Sequence, residues 1–244
     1  MRYLVLSDIH ANLEALAAVL KVTEGEYDSI VCLGDIVGYG ADPNAVTNWV
    51  REHCSAVIRG NHDKACCGLE EPVLFNPIAK RAVEWTYDQL TEENRQYLRE
   101  LPQGPFEADG FLMVHGAVTD EDEYLLDMQD AVRQFDHMMG RLVFFGHTHV
   151  QGGFFLRSVN GSAPDRMPHP PSAIEVRPGD SLLVNPGSIG QPRDHVWEAA
   201  YAIFDTDKAE VEYRRQAYDL ERAQAKIRDA RLPLPLAERL AVGR

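Results

Sequence analysis

The sequence predicts an α/β fold centred on a largely parallel sheet with helices laid over it. Two observations lead there. Through residues 1–60, short apolar runs alternate with segments of helical period, and a β-α-β-α-β rhythm packs as parallel strands covered by helices. In addition, five of the apolar runs end in turns rich in Asp, Asn and His. In α/β sheets, the loops beyond the strands' carboxyl ends are where ligands bind.

The elements follow in order. Tyr3 to Leu6 reads as a buried strand, and Asn12 to Leu20 as a helix with Leu13, Leu16 and Leu20 on one face. Ser29 to Leu33 is the second strand. Asp42-Pro43 supplies a cap and a first-turn proline for a helix reaching about His53. Ala56 to Arg59 is the third strand. Lys64 to Leu101 breaks the rhythm with helical patterns only, starting at Asn76-Pro77 and Thr91, and reads as a helical insertion. Asp109-Gly110 joins Phe106–Ala108 to Phe111–Val114 as a hairpin. A helix near Gln129 to His137 precedes the strand Leu142 to Phe145. Strands are then expected at Phe154–Leu156, Ile174–Val176, Leu182–Val184, Ala200–Phe204 and Glu210–Arg215, forming a second, mixed or antiparallel sheet. The Pro-, Gly- and Ser-rich stretch Ser158 to Ser172 reads as a mobile loop. Helices from Asp219 and from about Pro235 finish the chain. With no repeat and no linker, residues 1–244 read as one domain.

Bulk properties narrow the function. The 244 residues carry 38 Asp and Glu against 24 Lys and Arg, a net charge of −14. Such a field repels polyanions, so no stable nucleic-acid complex is expected, although bound divalent cations would reverse the sign locally. The four cysteines, Cys32, Cys54, Cys66 and Cys67, form no C-x-x-C pair and read as free thiols. No window approaches the ~18 apolar residues of a membrane span, and the N-terminus lacks a signal-peptide pattern. A cytoplasmic protein without a membrane partner is expected.

The strand-end motifs are Ser7-Asp8-Ile9-His10, Gly34-Asp35, Gly60-Asn61-His62-Asp63, His115-Gly116 and Gly146-His147-Thr148-His149. They would deliver Asp8, His10, Asp35, Asn61, His115, His147 and His149 to one place. Imidazole suits zinc and iron, while carboxylate and amide oxygens suit manganese and magnesium. Seven ligands exceed the needs of one tetrahedral ion and suit two divalent ions that share a carboxylate.

In this order and spacing, residues 1 to about 150 resemble the calcineurin-like metallophosphoesterase superfamily, as does Asn185-Pro186-Gly187-Ser188. The resemblance implies a four-layer α/β/β/α sandwich. It also implies that Asp8, His10, Asp35 and His149 hold one ion, and that Asp35, Asn61, His115 and His147 hold the other. Manganese, iron or zinc would fill the sites, with nickel, cobalt or magnesium acceptable in vitro. His62 would protonate the leaving oxygen and Asp63 would orient its ring; the alternative for this pair is helix capping. Asn12 fits either a helix cap or a phosphate contact. Arg193 fits either a phosphate fork or an ion pair with Asp194. Tyr39 fits a base-stacking platform or a packed loop aromatic. His53, His137, His169 and His195 belong to no motif, and Trp49 and Trp85 read as core.

The segment after Asp35 reads Ile36-Val37-Gly38-Tyr39-Gly40 and lacks the Arg that protein Ser/Thr phosphatases of the superfamily carry there. The insertion is also longer than in the smallest bacterial phosphodiesterases of this type. The bacterial diadenosine tetraphosphate hydrolase-like group is the better resemblance, which implies a small phosphorylated, nucleotide-type substrate. A protein phosphatase and a catalytically silent metal-binding scaffold are the alternatives.

Overall fold

A computed structural model of the chain describes residues 1–73, 75–138, 140–159, 162–167 and 172–244. Among these, strands β1 (Arg2–Leu6), β2 (Ser29–Cys32) and β3 (Ala56–Val57) are interleaved with helices α1 (Leu13–Val22) and α2 (Pro43–His53). Helices α3 (Asn61–Cys66), α4 (Pro77–Gln89) and α5 (Glu92–Glu100) follow, then β4 (Phe106–Glu107), β5 (Phe111–Met113), α6 (Met128–Phe135) and β6 (Leu142–Phe144). The remainder comprises β7 (Gly152–Leu156), β8 (Asp165–Arg166), β9 (Ala173–Glu175), β10 (Ser181–Asn185), β11 (Ala199–Asp205), β12 (Glu210–Gln216), α7 (Leu220–Asp229) and α8 (Leu234–Leu240).

The strands form two six-stranded sheets, in the orders β3-β2-β1-β11-β12-β9 and β4-β5-β6-β10-β7-β8. β1, β2 and β3 pair in parallel in the first, and β5, β6 and β10 in the second. Side-chain alternation along each strand builds the layers, because successive residues point to opposite faces. Leu4 and Leu6 of β1 join a helix-covered core while Tyr3 and Val5 face the other sheet. Likewise, Leu142 and Phe144 of β6 face the inter-sheet core, and Val143 packs toward Ala131 and Phe135 of α6. The result is helix, sheet, sheet, helix, as the family resemblance implies. Trp49 and Trp85 pack at the margin of the first core.

The late strands depart from the sequence reading. They do not make a sheet of their own: β9, β11 and β12 extend the first sheet antiparallel, while β7 and β10 complete the second. The hairpin β4–β5 and strand β6 also belong to the second sheet. β8 lies within the stretch read as loop; its residues 160, 161 and 168–171, including His169, lie outside the described residues.

Caps fix most helix starts. Asn12, Asn76, Thr91 and Asp219 each accept a first-turn backbone N–H, an exchange worth roughly 1 kcal/mol. Asp42 precedes α2 without capping it and instead accepts Lys226 Nζ of α7 at 2.8 Å. No helix among the described residues is long and apolar enough to cross a membrane.

Candidate metal centre

Turns from both sheets meet at one edge. Three come from the first sheet, after β1, β2 and β3, and two from the second, after β5 and β6. They are joined directly: His147 N–H donates to Asp8 Oδ2 at 3.2 Å, Gly146 N–H to the His115 carbonyl at 2.8 Å, and Asp8 N–H to the Gly34 carbonyl at 3.0 Å. The turns are tight enough to force Asp8 (φ 52°), His10 (47°), Asp35 (51°), Tyr39 (61°), His147 (64°) and His149 (58°) into the left-handed region. Non-glycine residues rarely adopt it, and such strain concentrates at functional sites. Two glycines are required by close approach. A Cβ on Gly60 would lie 2.2 Å from Asp35 Oδ1, and one on Gly146 would lie 2.1 Å from Ser7 Oγ.

Two groups of ligating atoms result, each within 4.8 Å: Asp8, His10, Asp35 and His149, and Asp35, His115 and His147. Asp35 belongs to both. Asn61, the first residue of α3, places Oδ1 3.3 Å from His115 Nε2. All seven residues expected as ligands are thus brought together.

The imidazoles are oriented by main-chain carbonyls. His10, His115 and His149 use Nδ1 against the carbonyls of Val37 (3.0 Å), Leu33 (2.8 Å) and Gln191 (2.7 Å), while His147 uses Nε2 against Asp122 (3.1 Å). A carbonyl only accepts, so each of these nitrogens carries the proton; in neutral His10, His147 and His149 the opposite nitrogen then presents a lone pair, the arrangement usual for metal-bound His. Burial pushes His10 and His149 well down from the usual imidazole range, and pushes His147 down to about 3 with His115 adding to the effect. The Nε2 atoms of neutral His10 and His149 then face each other at 3.1 Å. Two lone pairs at that distance repel, and a cation between them removes the conflict. Asp35 Oδ2 is buried without a hydrogen-bond partner, as a carboxylate oxygen reserved for a cation would be. On these grounds the residues fit divalent metal ions.

His115 behaves differently. Burial opposes its charge, yet Asp35, whose Oδ2 lies 3.4 Å from Nε2, holds it up to about 10. Asp8 is pushed up to about 7 by burial, with the neighbouring Asp35 charge adding to it and His115 opposing. A carboxyl held above its unfolded value stabilises the fold fully only below about pH 4. That contribution disappears as pH rises through about 7. The held-down imidazoles of His10, His147 and His149 act in the opposite sense, gaining stability as pH rises toward the usual imidazole range, so the metal-free fold follows no single trend; a cation, however, competes with the Asp8 proton up to about pH 7. A saturating divalent ion is therefore expected to raise the melting temperature more at pH 8 than at pH 5, by on the order of 10 °C. Thermal melts with and without chelator check this, and a metal effect independent of pH would contradict it.

Other expectations need correction. Asp63 does not orient the His62 ring. Its Oδ1 accepts the N–H groups of Ile36 (2.9 Å) and Val37 (3.2 Å), its Oδ2 accepts that of Gly60 (3.0 Å), and His62 Nδ1 has no partner. Asp63 thus caps α3 and ties it to the Asp35 loop. His62 remains at the site: its N–H donates to Asp35 Oδ1 at 2.8 Å and its ring lies 4.9 Å from that of His10. Asn12 is a cap, since Oδ1 accepts Ala15 N–H and Nδ2 donates to the Gly190 carbonyl at 3.0 Å. Tyr39 is a packed loop aromatic, buried with its ring 4.6 Å from His10 and 4.3 Å from His62. Arg193 does not pair with Asp194, which binds Arg215 instead; its Nη2 donates to Tyr39 Oη at 3.4 Å.

Asn185-Pro186-Gly187-Ser188 braces the centre. Asn185 Nδ2 donates to the Gly146 carbonyl and Thr148 Oγ1, each at 2.9 Å, and Ser188 Oγ donates to the Asp8 carbonyl at 2.8 Å. Tyr124 and Arg239 escaped the sequence reading. Tyr124 stacks on His147 with ring centroids 3.7 Å apart, and Arg239 lies over the Tyr39 ring at 5.6 Å. Neither belongs to a motif, so no sequence signal marks them.

Residues 1–209 match the family model described as the calcineurin-like phosphoesterase superfamily domain. An uncharacterized protein from Methanocaldococcus jannaschii is 38% identical, with 98% of this chain and 97% of that protein covered. A crystal structure of a metallophosphoesterase from Sphaerobacter thermophilus is 39% identical, covers 100% of this chain and 99% of its own, and superposes with a TM-score of 0.86. A hypothetical protein from Pyrococcus horikoshii shares the fold at 20% identity, with 100% and 98% covered and a TM-score of 0.80. Five turns carrying acid, amide and imidazole ligands, on a four-layer sandwich that matches a metallophosphoesterase along its length, lead to one conclusion: this chain belongs to the calcineurin-like phosphoesterase superfamily.

Proposed function

We propose that the chain is a dinuclear-metal-dependent phosphohydrolase cleaving phosphomonoester, phosphodiester or phosphoanhydride bonds of small, nucleotide-type substrates. The observation that carries this reading is that one buried carboxylate, Asp35, belongs to two groups of ligating side chains at once. One ion is assigned to Asp8, His10, Asp35 and His149, the other to Asp35, Asn61, His115 and His147. Divalent cations held there (manganese, iron or zinc, with cobalt, nickel or magnesium accepted in vitro) would supply a hydroxide nucleophile near neutral pH and neutralise charge on phosphoryl oxygens.

The chain's own residues do the rest. His62 borders a cavity of about 230 Å³ shared with Tyr39, Asn61, Phe75, Tyr124 and His147. Burial pushes this imidazole down to about 4, with Asp35 working against the shift. It is therefore neutral at pH 7 until an anionic substrate arrives. An opposite charge alongside favours the protonated ring, so phosphoryl binding would load His62 with the proton that the leaving oxygen needs. The cavity lies at the small end of ligand pockets, which favours a small molecule over a protein phosphatase's substrate. Four free cysteines agree with a reducing, cytoplasmic setting. We also read residues 1–244 as one domain, with the 64–101 helices inserted beside the site.

Metal-free protein supplied with manganese should hydrolyse bis-p-nitrophenyl phosphate or p-nitrophenyl phosphate, and chelator should abolish turnover. No turnover with manganese, zinc, iron, cobalt or nickel would instead favour a silent scaffold.

A further inference from the structure

Two guanidinium groups flank Tyr39 at the edge of the metal centre. The Arg193 guanidinium carbon lies 5.9 Å from the ring centroid and that of Arg239 lies 5.6 Å from it. They come from separate segments of the chain. Arg193 follows the loop that braces Asp8, and its N–H donates to the His149 carbonyl at 3.0 Å. Arg239 comes from α8, beyond the residues 1–209 matched to the family. The C-terminus is pinned in place, with His195 N–H donating to the Gly243 carbonyl at 2.9 Å.

Neither guanidinium pairs with an aspartate or a glutamate. Among the described residues no salt bridge involves Arg193 or Arg239, although the chain has 38 acids and most of its other arginines pair with one. Arg193 makes only long side-chain bonds, to Tyr39 Oη at 3.4 Å and Gln191 Oε1 at 3.3 Å, and its Nε is buried without a partner. Arg239 donates Nε–H to the main-chain oxygen of Arg244, and no bond from its Nη1 or Nη2 is found among the described residues. Burial, with Arg193 adding to it, lowers the Arg239 pKa. Two like charges held together with free donors are costly unless an anion joins them. Tyr39 also walls the cavity beside His62 and its ring lies 4.6 Å from that of His10, so an anion at these arginines would share that tyrosine with the metal centre.

We propose that Arg193, Tyr39 and Arg239 form a second anion subsite for the phosphoryl group adjoining the one at the metal centre, so that the preferred substrates carry two linked phosphoryl groups. This rests on the phosphohydrolase reading for its substrate class, but the binding site itself stands on the arginine pair. Arg supplies a planar fork suited to phosphate oxygens, and a lost charged hydrogen bond of this kind corresponds to about a 10- to 100-fold change.

Two arms test it with wild type, Arg239→Gln and Arg239→Lys. In the first, kcat/KM is measured on the manganese-loaded protein with ADP and with AMP. Arg239→Gln should lose about 10- to 100-fold on ADP and change little on AMP, with Arg239→Lys partly restoring the difference. Equal losses on both, or none on either, overturn the proposal. In the second, inorganic diphosphate and orthophosphate are titrated calorimetrically into metal-free protein. Wild type should prefer diphosphate and Arg239→Gln should not; no preference in wild type overturns the subsite. If the loaded protein turns over neither nucleotide, the phosphohydrolase reading is the one in difficulty, and the second arm still decides the subsite.

Discussion

Replacing Asp35 by Asn is expected to remove metal and activity together, with a fall in kcat/KM of about 10³-fold or more, roughly 4 kcal/mol of transition-state stabilisation. The size follows from position. Asp35 belongs to both ligand groups, its Oδ2 has no other hydrogen-bond partner, and its Oδ1 accepts His62 N–H. An amide of nearly the same shape keeps the packing but removes the charge that would neutralise two cations. It also turns an NH₂ toward either the ions or the His62 N–H. Elemental analysis of the reconstituted protein should show close to two ions per wild-type chain and less than one in the variant. A variant that retained both ions and turned over normally would show that Asp35 does not bridge them.

His62→Ala should behave differently. Metal content should stay at the wild-type level, because the His62 ring approaches the ligand set without belonging to either group. Turnover should drop by about 10²- to 10⁴-fold on alkyl phosphates, whose leaving oxygen needs a proton. The loss should be less than about 10-fold on p-nitrophenyl phosphate, whose leaving group departs unaided. A loss of equal size on both substrates would remove the proton-donor role. Loss of metal would move His62 into the structural shell.

Much of this centre was legible in the sequence because parallel strands are buried on both faces and read as continuous apolar runs. Each run then placed its motif at a strand end. Helix starts were legible for a similarly local reason: Asn12, Asn76, Thr91 and Asp219 act within one turn of themselves. Sheet membership was not local. Nothing in Ala199–Asp205 announces that it pairs with β1 across nearly the whole chain, Arg2 opposite Asp205. The mistake at Asp63 has a geometric cause. His62 and Asp63 adjoin in sequence, but both lie on α3, where neighbours point about 100° apart and do not face each other. Arg239 was invisible because it reaches the site only through the packing of α7 and α8 on one another and of α7 on α1.

The carbonyl anchoring of His10, His115, His147 and His149 bears on how such a centre tolerates sequence drift. Where an Asp or Glu side chain orients a ligand, one codon change can disable the orienting group. Here the anchors at Leu33, Val37, Asp122 and Gln191 are peptide oxygens, and every amino acid supplies one. Volume-conserving replacements at buried Leu33, Val37 and Gln191, and a wider range at exposed Asp122, should therefore leave tautomers and metal loading largely untouched. Insertions or deletions of a single residue in the same turns should be far more damaging. Variation in this centre is constrained by loop length more than by the identity of the residues that steady it.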